Sequence, residues 1–252
     1  MEPRKVFDTI PEEFDKYRPR YCPEAFEAIR KIADLRPGRS ILEIGPGTGQ
    51  ATEPLLQTGA DYLGIELGEH LYEFMKRKFA SYPNLSMVCD DFITHDFGEY
   101  KFDMVFSAAT IQWIPEKLAF TRSFELLKPG GTLMMIANLS DNSARNSEAL
   151  VKAEQEVYDR FYVTDMPYNQ RIDKMACVNY GFEPAQTLDF FYDTDMTADE
   201  FAAFMMTNAD TITMKEPNRT LFINGLRDAV NQNGGVWRRH DRVNLVWAKK
   251  PL

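Results

Sequence analysis

The stretch Ser40-Ile41-Leu42-Glu43-Ile44-Gly45-Pro46-Gly47-Thr48-Gly49 decides the fold. Its first half is a short, mainly apolar run and its second half sets glycines at alternate positions, so it reads as a buried strand entering a tight turn. Glycines there let the backbone bend sharply and approach a ligand with no side chain in the way, and a helix over 50–57 is expected next. The spacing then separates candidate ligands. A dinucleotide turn carries Gly-x-Gly-x-x-Gly, but the sixth position counted from Gly45 is Gln50, so the third glycine arrives one place early. A phosphate-binding loop would need Gly-Lys-Ser or Gly-Lys-Thr, which does not follow.

Working outward, Phe26, Ile29 and Ala33 recur at helical spacing through 23–35, and Arg36-Pro37-Gly38 ends that helix. Residues 62–66 read as a second strand, followed by a helix with Leu71, Phe74, Met75 and Phe79 on one face. Strands over 86–90, 102–107 and 132–137 complete the pattern, the last after a helix stopped by Lys128-Pro129-Gly130-Gly131. Five strands alternating with helices predict an α/β fold with a doubly wound, mostly parallel sheet covered on both faces. Beyond Asn138 the rhythm lapses, and 140–168 reads as an inserted polar loop and helix. Helices over 170–180, 197–208 and 217–231 and a strand over 186–192 are expected after it. Val243, Leu245 and Trp247 alternate in a half-buried strand over 242–248, at or near a sheet edge.

Composition excludes whole classes. The 252 residues suit one large domain with insertions, 1–252, with 36–138 as its ligand-binding core. With 29 Lys and Arg against 38 Asp and Glu, the net charge is −9, the wrong sign for a nucleic-acid partner. A hydrophobic fraction of 44% excludes disorder. The apolar run from Met104 to Pro115 is too short to cross a bilayer, so no membrane partner is expected. The amino terminus lacks a secretory pattern, so a cytoplasmic location is expected, as a monomer or homodimer. Cys22, Cys89 and Cys177 lie far apart and in no Cys-x-x-Cys spacing, so buried inert thiols are expected rather than disulfides or a metal site. His70, His95 and His240 show no partner spacing and read as surface residues.

Glu66 ends the second strand, 21 residues after Gly45. A carboxylate there can accept hydrogen bonds from the vicinal hydroxyls of a ribose. It can instead serve as a negative charge at the start of the helix after Gly68. Asp90 or Asp91, ending the third strand, could accept from an exocyclic adenine amine, a backbone N–H of Asp91 or Phe92 could meet a ring nitrogen, and Phe92 or Ile93 could pack on the ring.

These residues resemble the class I S-adenosylmethionine-dependent methyltransferases, which place Glu/Asp-x-Gly-x-Gly-x-Gly after the first strand. The resemblance runs from about Phe14 to Gly131, and is strongest for the small-molecule branch of type 11 and trans-aconitate methyltransferase-like proteins. It rests also on Phe14-Asp-Lys-Tyr17-Arg18-Pro19-Arg-Tyr21, Gly64-Ile-Glu66, Phe102-Asp103, Ala109-Thr-Ile-Gln112-Trp113 and Leu127-Lys-Pro-Gly-Gly131. It implies a Rossmann-like seven-stranded sheet with an antiparallel last strand and a helical lid, and S-adenosylmethionine as cofactor. Gly45, Pro46, Gly47, Thr48 and Gly49 would hold its methionine part, Glu66 with Leu67 the ribose, and Asp90, Asp91 and Phe92 the adenine. Ser107 and Ala108 would line the sulfonium, with Tyr17 and Arg18 closing over it. Tyr21, Gln112 and Trp113 would face the acceptor. Many relatives carry a histidine before the tryptophan where this chain has Gln112, so a role for that histidine does not transfer.

The expected reaction is in-line transfer of a methyl group to a small organic acceptor. A carboxylate acceptor would need no general base, whereas a phenol or protonated amine would. Specificity is expected from 1–35, 140–168 and 197–218, with Tyr158, Phe161, Tyr162, Tyr168, Phe201 and Phe204 as either pocket walls or the core of an added helical layer. Met196, Met205, Met206 and Met214 could line a pocket or fill that core. Two rivals remain: an NAD(P)-dependent oxidoreductase on a related fold, and a non-catalytic S-adenosylmethionine-binding partner subunit.

Overall fold

A computed structural model describes residues 2–140, 145–165 and 172–252. The chain divides into two compact units. The sheet unit comprises Arg20–Asn138, Gln170–Phe190 and Val243–Leu252, and the helical unit comprises Met1–Pro19, Leu139–Asn169 and Phe191–Arg242.

The expected strands form. β1 (Ser40–Ile44), β2 (Asp61–Glu66), β3 (Leu85–Cys89), β4 (Phe102–Ala108), β5 (Leu127–Ser140), β6 (Gln186–Thr197) and β7 (Val236–Lys249) make one sheet in the order β3-β2-β1-β4-β5-β7-β6. β1 pairs in parallel with both β2 and β4, β2 with β3, and β4 with β5. β7 runs the other way: the Gly130 N–H donates to the Lys250 carbonyl at 3.0 Å while the Lys250 N–H donates to Gly131 at 2.8 Å. β6 and β7 are antiparallel too, because Asn244 reaches Asp189, His240 reaches Asp193 and Arg238 reaches Asp195. The expected mixed sheet is therefore present, and its order reverses at β1 and β4. Such a switch point opens a crevice at the carboxyl ends of its strands.

In the sheet unit, Ile41, Leu42 and Ile44 of β1 are at most 2% exposed, which is why their run is continuous rather than alternating. α2 (Pro23–Ile32), α3 (Thr52–Leu56), α4 (Glu69–Lys78) and α5 (Glu116–Leu126) cover the faces. The helix expected over 50–57 is shorter because residues 48–51 are spent in the turn. Lys128-Pro129-Gly130-Gly131, read as a helix stop, is already sheet, since the glycines bond to Lys250. The helix expected over 170–180 is a 3-10 segment, Lys174–Tyr180, ended by Gly181 at φ 96°; 170 and 171 lie outside the described residues.

The helical unit holds α1 (Pro11–Tyr17), α6 (Glu148–Phe161), α7 (Ala198–Met206), α8 (Ala209–Thr213) and α9 (Asn218–Gln232). α7 starts at a capping box, with the Thr197 hydroxyl accepting from the Glu200 N–H and the Glu200 carboxylate from the Thr197 N–H. Its interior is Phe201 stacked on Trp237 at 4.2 Å, and Tyr158, Tyr162 and Phe222 in mutual ring contact. Phe161 and Met196 pack against this core, and Phe204, Met205 and Met214 are buried in it, while Met206 is exposed. The core-of-a-helical-layer reading thus accounts for these aromatics; Tyr168 lies outside the described residues.

Candidate functional site

The crevice is built on the loop leaving β1. Gly45, Gly47 and Gly49 have φ of 61°, 62° and 83°, which side chains strongly disfavour. Packing closes two of these positions independently: a Cβ on Gly45 would lie 2.4 Å from Thr110 Cγ2, and one on Gly49 2.4 Å from Phe79 Cε2. The loop is pinned from several sides. Gly45 N–H donates to the Ile65 carbonyl at 2.9 Å and Gly49 N–H to Pro46 at 2.9 Å. Thr110 Oγ1 donates to the Gly45 carbonyl at 2.9 Å, and Lys78 Nζ to the Thr48 carbonyl at 2.9 Å. Thr48 is buried and its hydroxyl accepts from the Gln50 amide at 2.7 Å.

Glu66, 6% exposed at the end of β2, joins this loop to the next helix. Its Oε2 accepts from Gly47 N–H at 2.9 Å and its Oε1 from Gly68 N–H at 3.0 Å. Its place fits the reading as a charge at a helix start. The carboxylate sits beside the start of α4, where a negative charge is favoured. Leu67 follows, half-buried.

Glu43, behind the loop in β1, is wholly buried. Thr52 Oγ1 donates to its Oε2 at 2.5 Å and the Tyr62 hydroxyl donates to the same oxygen at 2.7 Å, while Oε1 has no partner. Burial pushes its carboxyl up to about 7 against those two hydrogen bonds, and Glu66 adds to the rise. Sequence reading took Glu43 only as part of the turn motif; an acid within an apolar strand run was the signal available.

At the end of β3, Asp90 is exposed, its Oδ1 accepting from Asp91 N–H at 2.7 Å and its Oδ2 facing His95 Nδ1 at 2.8 Å. The His95 bond, helped by the Asp91 N–H, holds the Asp90 carboxyl below its usual range. Asp91 Oδ1 accepts from the Ile93 N–H at 2.9 Å. The Phe92 ring faces inward, 4% exposed and 6.2 Å from Phe97. Of the two side chains offered for a base-stacking role, Ile93 is thus the half-buried one. Cys89 beside them is exposed, correcting the expectation of a buried thiol; β3 is an edge strand, and Cys22 and Cys177 are the buried ones.

Ser107 is buried at the end of β4, its hydroxyl accepting from the Ile111 N–H at 2.9 Å, and Ala108 is half-buried. Ala109 has φ 54°, costly for a residue with a Cβ by about 1–3 kcal/mol. It leads into the 3-10 turn Ile111–Trp113 that carries Gln112 and Trp113. Tyr21 walls a cavity of about 500 Å³ with Arg20, Phe26, Gly49, Gln50 and Glu53. Tyr17 and Arg18 belong to the helical unit, where Arg18 Nη2 donates to the Thr207 carbonyl at 2.7 Å and its guanidinium lies 5.1 Å from Phe14 and 5.5 Å from Phe204. The structure thus gathers the glycine loop, Glu66, Leu67, Asp90, Asp91, Ser107, Ala108, Gln112 and Trp113 at the carboxyl ends of β1 to β4. Sequence reading missed Thr110 and Lys78 as loop contacts. Among the described residues no cluster of three His, Cys, Asp or Glu could hold a metal ion, and no helix is long and apolar enough to cross a membrane.

Residues 42–135 match the methyltransferase domain family. The chain is 36% identical over 65 residues to ribosomal RNA small subunit methyltransferase A of Dehalococcoides mccartyi, covering 26% of this chain and 22% of that protein. It is 24% identical over 140 residues to an uncharacterized methyltransferase of Schizosaccharomyces pombe, 55% of each. The chain therefore spans between about a fifth and about half of these relatives' lengths. Its fold is similar to that of Haemonchus contortus phosphoethanolamine N-methyltransferase 2, solved with phosphomonomethylethanolamine and S-adenosylhomocysteine, with a TM-score of 0.60, 17% identity and coverage of 100% of this chain and 61% of that one.

Proposed function

We propose that this chain, which belongs by its matched domain and its fold to the class I S-adenosylmethionine-dependent methyltransferases, transfers the methyl group of that cofactor to a small organic acceptor. The observation that carries the reading is the buried Glu66 carboxylate at the end of β2, held by Gly47 N–H and Gly68 N–H beside a left-handed glycine loop. These residues fit the cofactor: a buried carboxylate for vicinal hydroxyls, a loop of close backbone approach, and polar groups at the end of β3 for a base.

S-adenosylmethionine supplies a methyl group on a cationic sulfonium, open to in-line displacement. In our reading Gly45 to Gly49 hold the methionine end, Glu66 and Leu67 the ribose, and Asp90 or Asp91 with Ile93 the adenine, while Tyr17 and Arg18 remain candidates by resemblance alone. Ser107 and Ala108 are small enough to admit the reacting groups at the end of β4. Gln112 and Trp113 orient the acceptor, which is the main work such a protein does. Excluding water there favours an anionic nucleophile, whose charge disappears in the transition state. Ser107, Thr110, Gln112 and Trp113 offer no base at neutral pH, so an acceptor carrying its own negative charge, such as a carboxylate, suits this turn. The net charge of −9 favours a small acceptor over RNA. Incubation with methyl-labelled S-adenosylmethionine and separate pools of small carboxylates, phenols, amines and RNA tests this. Label in the carboxylate pool is expected; label in RNA alone would replace the small-acceptor reading.

A further inference from the structure

We propose that Thr110 is a positioning residue that ties the acceptor-facing turn to the cofactor loop, so that loading the loop orders the turn. The proposal rests on the reading above. Thr110 bonds in both directions at once. Its hydroxyl donates to the Gly45 carbonyl at 2.9 Å, with the Ala108 carbonyl at 3.3 Å, and its own carbonyl accepts from the Trp113 N–H at 2.9 Å.

The backbone around it is arranged to make this reach. Ala109, at φ 54°, turns the chain off β4, while its N–H stays bonded to the Ile136 carbonyl at 2.8 Å. A residue with a Cβ keeps such a conformation only where its surroundings over-determine it. Here they do: Ser107 Oγ takes the Ile111 N–H at 2.9 Å on one side, and Thr110 is wedged against Gly45 on the other, closely enough that a Cβ on Gly45 would meet its Cγ2 at 2.4 Å. A shift of the Gly45 peptide on ligand binding is therefore passed through one side chain to the turn bearing Gln112 and Trp113. A threonine fits this task because its hydroxyl makes the bond while its methyl fills the space the glycine leaves.

The test uses the full chain labelled with 5-fluorotryptophan, which gives three resonances, with Trp113 assigned from Trp113→Phe. S-adenosylhomocysteine binding is measured by calorimetry in parallel. In the unsubstituted protein the ligand is expected to shift the Trp113 resonance. Thr110→Val should bind about five-fold more weakly, the scale of one hydrogen bond, and at saturation should leave Trp113 at its free position. Thr110→Ser should restore both. If Thr110→Val does not fold, Thr110→Ala serves in its place. A Trp113 shift in the valine or alanine variant equal to that of the unsubstituted protein overturns the proposal, as does ligand binding that never moves Trp113. Absence of calorimetric binding to the unsubstituted protein is a separate result that removes the cofactor reading, and this proposal with it.

Discussion

Asp103→Asn should weaken the fold by an amount the structure allows one to work out. Asp103 is the second residue of β4, and its side chain, 11% exposed, accepts from Arg39 Nη1 at 2.9 Å, Lys128 Nζ at 2.7 Å and both the N–H and the hydroxyl of Ser40 at 2.9 Å. These groups stitch together the amino-terminal ends of β1, β4 and β5. Burial alone would raise the carboxyl, but Lys128, Ser40 and Arg39 together outweigh it and hold the group down to about 2 from 3.8. That difference corresponds to about 2 kcal/mol of stability. Asparagine keeps the shape but removes the counter-charge of Lys128 and leaves Arg39 with Asp34 alone, at 2.6 Å. The expected loss at neutral pH is about 2 kcal/mol, or about 4–8 °C in Tm. Because the folded pKa is depressed, the contribution is complete above the unfolded value of about 4 and disappears as pH falls from about 4 to about 2. Urea unfolding followed by far-UV circular dichroism should show the gap between the two proteins narrowing over that window. A gap below about 0.5 kcal/mol at neutral pH, ordinary for a surface change, or one independent of pH, would refute the reasoning.

Glu43→Gln should act with the opposite pH sign. The folded carboxyl titrates near 7 and the unfolded one near 4.5, so the native chain loses stability as pH rises from about 4.5 to about 7, and the glutamine variant should gain on it across that window; parallel stability curves would contradict the burial argument. Gly49→Ala places a Cβ 2.4 Å from Phe79 at φ 83°, and S-adenosylhomocysteine affinity should fall by at least about ten-fold, whereas unchanged affinity on calorimetry would separate the loop from the ligand. Cys89 is exposed while Cys22 and Cys177 are buried, with burial raising both buried thiols and taking Cys177 to about 11. A maleimide should therefore label Cys89 first in mass-spectrometric mapping, and S-adenosylhomocysteine should slow that labelling, since Cys89 lies in register with Glu66. Equal rates with and without ligand would count against the proposed pocket.

What could be read from sequence was what is local. The strand-to-glycine turn, the acid at the end of β2 and the alternation of strands and helices each follow from the order of neighbours along the chain. The contacts that lock the site join distant segments: Thr110 to Gly45, Lys78 to Thr48, and Tyr62 with Thr52 to Glu43. No periodicity reports these, because they depend on which strands lie side by side. Phe92 shows the same gap, since nothing at the end of a strand says which way the next ring turns. The aromatics of α6, α7 and α9 could have walled a pocket or filled a core, because both demand apolar residues at helical spacing. Their ring stacking and burial select the core.

The central claim is that the crevice at β1 to β4 takes a nucleoside bearing a methionine chain rather than a dinucleotide. Thermal unfolding of the full chain with S-adenosylhomocysteine, and separately with NAD, tests it most directly. Ligand at about one hundred times its Kd adds about 2.7 kcal/mol, a rise of about 5–10 °C for a chain of this size. The account predicts that rise with S-adenosylhomocysteine and none with NAD; a rise with NAD alone would contradict it.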